Sequence, residues 1–186
     1  MLGWKRLIIC VIIVAIVGTV IWIFLNNNMD KEEKNIIDEY TPEEEITDEQ
    51  IRQTMLSLYF EGDNGIIPEA RLIDVKKLIK NPYETILELL IAGPKNNNLQ
   101  KTIPEETKIN KIEKDGENLI IDFSREFIEN HKGGETEEKN TIKSIVNTLT
   151  ELTEINGIKI KIDGEENKEF KDGIIKFNII FNRENI

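Results

Sequence analysis

One cysteine, Cys10, stands in 186 residues, so an internal disulfide is excluded and any folded part must be held by its own core. A single histidine, His131, lies in a polar loop with no second histidine or cysteine beside it, and zinc needs three or four ligands. Basic residues are outnumbered 24 to 35, for a formal net charge of -11. That balance excludes nucleic acid as a partner. It also disfavours adsorption to anionic membrane surfaces or acidic wall polymers, except through a local basic patch. Neither a Gly-x-Ser-x-Gly elbow nor a phosphate-cradling glycine loop occurs. The acidic stretch from Asp163 to Asp172 has Lys168 where a calcium loop requires glycine. No cofactor or metal is expected.

Long apolar runs are absent too, with one exception. Leu7 to Leu25 is unbroken, preceded by Lys5 and Arg6 and followed by no basic residue until Lys31. As a helix it extends about 28 Å, the hydrocarbon thickness of a bilayer. Residues 1–25 therefore read as a cytoplasmic stub and a single transmembrane anchor, the basic side staying inside. The expected location is the cell membrane, single-pass, with the C-terminal domain extracytoplasmic. A cleaved signal is not expected, because the run ends in Trp22, Ile23, Phe24 and Leu25 rather than small residues. Ile8 and Ile9 before Cys10 likewise do not make a lipoprotein signal, and Cys10 reads as an apolar-tolerant residue of the span.

Residues 26–53 are dominated by Asp, Glu, Lys and Asn, with Ile36, Ile37, Tyr40, Ile46 and Ile51 scattered singly. Such a composition buries too little apolar area to offset the entropy of ordering, so a solvated tether is expected. Residues 54–182 then carry a folded pattern. Leu56, Leu58 and Phe60 alternate with Ser57 and Tyr59 as on a half-buried strand, a Gly62-Asp63-Asn64-Gly65 turn follows, and Ala70 to Val75 reads as a second short strand. Asn81 and Pro82 open a helix whose Tyr83, Ile86, Leu87, Leu90 and Ile91 share one face, and Gly93 and Pro94 stop it. Thr107 to Glu113 and Asn118 to Phe123 flank an Asp115-Gly116 turn, as in a tight antiparallel hairpin.

A second helix is predicted from Glu137 to Glu154, with Ile142, Ile145, Val146, Leu149 and Leu152 on its apolar stripe and Gly157 ending it. Ile158, Ile160 and Ile162 alternate with Lys159 and Lys161, and Ile175, Phe177, Ile179 and Phe181 suggest one face of a last strand after the Asp172-Gly173 turn. The order ββαββαββ predicts an α+β domain, a small sheet with two helices packed on one face.

Several short motifs fall in a recognisable order: Leu90-Ile91-Ala92-Gly93-Pro94, then Ile103, Pro104 and Thr107, then Ile121-Asp122-Phe123-Ser124 with Glu126 and Phe127. Ile145 to Glu151, including Thr148 and Leu149, comes next, and Ile158 to Ile162 runs into Asp163 and Gly164. Together they resemble the GerMN domain of bacterial sporulation, spore germination and envelope proteins, over roughly residues 54–164. The resemblance implies a compact α/β module similar to the ring-building modules of sporulation secretion complexes. It also implies a role in envelope assembly without known catalytic chemistry. Gly93 and Pro94 read mainly as a helix stop and Pro104 as an extended entry to the next strand.

The best catalytic pair is Asp122 with Glu126, which could cleave a wall glycan if suitably spaced; Glu151 and Glu154 offer less. The leading expectation is a non-enzymatic envelope protein that binds copies of itself or other envelope proteins, with the Ile174 to Asn182 edge as a docking surface. A binder of glycans or small ligands is the alternative, followed by a hydrolase using Asp122 and Glu126.

Overall fold

The computed structural model describes residues 16–23 and 52–186, in two compact units divided between Gln50 and Ile51. In the first unit, residues 16–23 form a helix (α1) whose residues are all exposed, Trp22 the most among its large apolar side chains. Among the described residues no helix is long and apolar enough to cross a membrane. The rest of the Leu7 to Leu25 run, Cys10 and residues 26–51 lie outside the described residues.

The second unit opens with a ribbon of two antiparallel strands, β1 (Gln53–Gly62) and β2 (Gly65–Asp74), paired from Gln53 with Asp74 to Gly62 with Gly65. Leu58 and Phe60 are buried, as their alternation predicts. The second strand differs from expectation: it starts at Gly65 and includes Pro68. The structure shows why proline is tolerated there. The N–H and C=O of its partner Tyr59 both turn away from β2 to side chains of another element, so the missing donor of Pro68 falls on the outer edge of the ribbon. Asp74 then caps a short helix absent from the sequence reading, α2 (Val75–Lys80), by accepting the Lys76 N–H at 2.8 Å. Helix α3 (Pro82–Ala92) follows as expected, burying Ile86, Leu87 and Leu90.

A four-stranded sheet is built separately, in the order β3 (Ile109–Asp115), β4 (Asn118–Phe123), β5 (Gly157–Ile162), β6 (Ile180–Phe181). The β3–β4 hairpin turns at Gly116, where φ is 59. Strands β4 and β5 are parallel, joined through α4 (Glu126–Glu129) and α5 (Glu135–Leu149). Leu119, Ile121 and Phe123 pair with Ile158, Ile160 and Ile162, all buried, while Asp122 and Lys161 pair on the solvent face. The domain is thus α+β, but with two sheets rather than one.

Three further corrections concern the second half of the domain. The strand expected over Ile174 to Asn182 shrinks to Ile180–Phe181, and Ile179 is 46% exposed. Residues 170–177 instead fold inward, placing the Phe170 and Phe177 rings 5.3 and 6.0 Å from that of Phe127, which stacks on Phe123 at 4.6 Å. The second long helix ends at Leu149 rather than Glu154. Gly157 opens β5 rather than ending the helix, because the Asn156 and Gly157 N–H groups bind the Glu117 carbonyl and start the strand.

Helix α5 is the central element. Nine of its residues are buried, on two different faces. Ile142, Ile145, Val146 and Leu149 enter the hydrophobic core, whereas Thr141, Ser144 and Thr148, spaced three and four apart, form a stripe of small hydroxyls.

Candidate functional site

The hydroxyl stripe of α5 serves the free edge of β1. The Tyr59 N–H donates to Thr148 Oγ1 at 3.0 Å and Ser144 Oγ donates to the Tyr59 carbonyl at 2.5 Å, so both polar groups of an unpaired strand position are satisfied by a helix. Thr102 Oγ1 extends the chain by donating to Ser144 Oγ at 2.7 Å, and Thr141 Oγ1 lies 2.7 Å from the Thr102 carbonyl. Further along the ribbon, Glu61 and Gln100 exchange backbone bonds of 3.2 and 2.7 Å. Thr148 therefore acts as a strand partner. Its neighbour Leu149 is a fully buried core residue.

His131 ends this network and is buried, not in open solvent as a polar loop would place it. Its Nδ1 accepts the Gly133 N–H at 3.0 Å, which leaves Nε2 to carry the proton toward Thr141 Oγ1 at 2.8 Å. Its ring lies 4.4 Å from that of Phe170. Burial pushes the imidazole below its ordinary value, with Glu137 opposing and Lys171 assisting. Protonation would set a second N–H against that of Gly133. The unfolded chain takes up this proton before the folded one does, so the stability held by neutral His131 is complete above pH about 6.5 and declines as pH falls through that value. Urea midpoints at pH 7.5 and 5.5 should differ for the natural chain and differ less for His131→Gln.

The Gly93-Pro94 motif is clamped from β2. Arg71 donates to the Gly93 carbonyl at 3.2 Å, and the Glu69 carboxylate, 3.1 Å from Arg71, accepts the Lys95 N–H at 3.0 Å. Both charged side chains are largely buried. Gly93 has φ 92 and ψ -179, a conformation essentially reserved for glycine. A Cβ there would also stand 2.6 Å from the Lys101 side chain. Gly93→Ala is expected to cost about 1–3 kcal/mol of stability, read as a lower urea midpoint with an unchanged slope. Pro104 accepts the Thr107 N–H at 3.1 Å to make the turn before β3, and Thr107 is buried there.

At the C-terminal ends of β4 and β5 the remaining motif residues meet. Asp163 and Gly164 have φ of 46 and 83, and Ile162 and Glu165 exchange two bonds of 2.9 Å around them, the arrangement of a type I′ turn. Asp122 fixes that turn by accepting the Gly164 N–H at 2.9 Å, and Arg125 pairs with Asp163 at 3.0 Å. Glu126 lies in the first turn of α4, where bonds from Ser124 and its own backbone hold its carboxyl below the usual range. A glycosidase acid must be shifted the other way. Glu151 is likewise lowered, by bonds from Arg183 and Tyr59, and serves as an ion-pair partner.

Among the described residues no three acidic, histidine or cysteine side chains converge on a metal position. The depression beside His131 has a volume of about 180 Å³ and is lined by charges of both signs, from Glu61, Lys101, Lys132 and Glu137. Ligand pockets usually exceed about 300 Å³.

A family described as Germane, sporulation and spore germination, matches residues 57–168. The chain is 30% identical over 131 residues to the spore germination protein GerM of Bacillus subtilis, a match covering 68% of this chain and 34% of that protein. The chain thus corresponds to about a third of that relative's length. A Clostridium perfringens protein described as a lipoprotein superimposes with a TM-score of 0.52 at 26% identity, covering 76% of this chain and 95% of its own. The first GerMN domain of Bacillus subtilis GerM shares the fold, with a TM-score of 0.59 at 24% identity, over 70% of this chain and 98% of that domain.

Proposed function

Because the chain belongs to the Germane family of sporulation and spore germination proteins, we propose that it is an extracytoplasmic envelope module, membrane-anchored through Leu7 to Leu25, that works by protein association rather than catalysis. Residues 26–51 serve as its tether. Its partners are copies of itself or other envelope proteins. The observation that carries this reading is how the motif residues are used. Gly93, Asp122, Thr148, Asp163 and Gly164 all go into holding turns and a strand edge, and Glu126 is shifted away from the behaviour of a general acid. What the motif residues support is a rigid scaffold.

The contact surface proposed is the segment after Gly173. Strand β6 covers only Ile158 and Lys159 of β5, and Ile174, Ile179 and Ile180 are each more than two-fifths exposed around it. A photo-crosslinking residue at position 179 is expected to capture envelope proteins or a second copy in sporulating cells. With the probe kept at 179, Ile174→Lys should reduce capture while leaving the urea midpoint unchanged. A domain that stays monomeric and captures nothing would sink the proposal. Release of soluble fragments from peptidoglycan, abolished by Asp122→Asn, would favour the hydrolase instead.

A further inference from the structure

The three most exposed large apolar side chains between residues 52 and 186 all lie where the chain enters and leaves the ribbon: Ile79 at 78%, Met55 at 68% and Leu72 at 60%. Met55 and Leu72 face one another across β1 and β2, and Ile79 is on α2, which starts where β2 ends. The same end is basic. Lys76, Lys77 and Lys80 are exposed on α2, and the Val75 N–H binds the carbonyl of exposed Arg52, the first described residue of the domain. Among the described residues, these four cations are opposed by Asp74, whose carboxylate is engaged in capping α2, and by exposed Glu84, which shares a depression with Lys80, so positive charge is in excess. In a chain with 35 acidic and 24 basic residues this is a local reversal of sign.

Exposed isoleucine, methionine and leucine among lysines form the signature of a surface that enters a lipid interface: the apolar groups partition into it and the cations face phosphate headgroups. We propose that α2 and the adjoining end of the ribbon dock on an anionic bilayer surface. The placement fits, because Arg52 is only 27 residues beyond the end of the apolar run at Leu25. Twenty-seven residues span at most about 90 Å in any conformation, which keeps Arg52 in the neighbourhood of the lipid. The inference rests on the anchored reading above, and docking holds the domain against the membrane instead of letting it range to the limit of its tether.

The test uses the full chain with Cys10→Ser and Ile79→Cys carrying an NBD fluorophore, reconstituted in vesicles of phosphatidylcholine with or without phosphatidylglycerol. With the anionic lipid the emission should move to the blue and become accessible to a lipid-borne quencher, while a label at exposed Asn167 should stay in water. Replacing Lys76, Lys77 and Lys80 with Gln should lower the docked-to-free ratio roughly a hundredfold, and high salt should act in the same direction. An emission that is the same in both lipids, survives the triple substitution, or depends on protein density because a second copy covers the patch would overturn the proposal. Failure of the chain to float with vesicles after a carbonate wash would count against the anchor alone. Binding of that chain to added anionic vesicles would then decide for or against docking.

Discussion

Truncation of Phe127 to alanine is expected to remove about 3–5 kcal/mol, a large share of the stability of a domain this size. The ring is fully buried, stacks on Phe123 and meets Phe170 and Phe177, so it joins β4 to the segment that follows the last turn. Three neighbouring rings cannot all collapse into the space it leaves. The urea midpoint should fall steeply, and near-ultraviolet circular dichroism from the aromatic cluster should weaken. A loss below about 1 kcal/mol would mean that the cluster is not a core element.

Glu138→Ala should have a comparable effect by a different route. Glu138 is fully buried on α5 and accepts the Asp172 N–H at 3.3 Å and the Ile175 N–H at 3.0 Å. Among the described residues no cation pairs with it, so its oxygens are satisfied by backbone alone. Removing them orphans two donors next to the core, for a cost of about 3–5 kcal/mol. Hydrogen exchange at residues 170–177 should accelerate more than in β4 or β5. Glu138→Gln keeps one acceptor but points an amide donor at the other N–H, so it should lose roughly half as much. Equal exchange across the domain in Glu138→Ala would show that the loop does not depend on this carboxylate.

These two residues mark the border between what was legible in the sequence and what was not. Phe127 stood in the family motif as an apolar residue after a polar turn, and its burial follows from its type. Glu138, by its place in the sequence, is an ordinary first-turn acid favoured by the helix dipole. Nothing local distinguishes a glutamate that faces water from one that caps a loop 34 residues further along. His131 is a similar case, since its polar flanks conceal a buried ring held by Thr141 and Gly133.

By itself the sequence determined the elements whose information is local. Alternation set β1 and β5, the Asn81-Pro82 start and Gly93 stop bounded α3, and the Asp115-Gly116 pair placed the hairpin of β3 and β4. It also determined the family, through motif residues whose backbone conformations admit few alternatives. Only the tertiary structure decided that the strands form two sheets and that Phe170 and Phe177 fold inward instead of extending a last strand. It alone also decided that Thr148 and Ser144 stand in for a missing neighbour of β1. The physical reason is common to all three. A side chain's preference for strand, helix or turn is carried by its nearest neighbours, but the partner that satisfies a strand edge or buries a ring comes from a distant part of the chain.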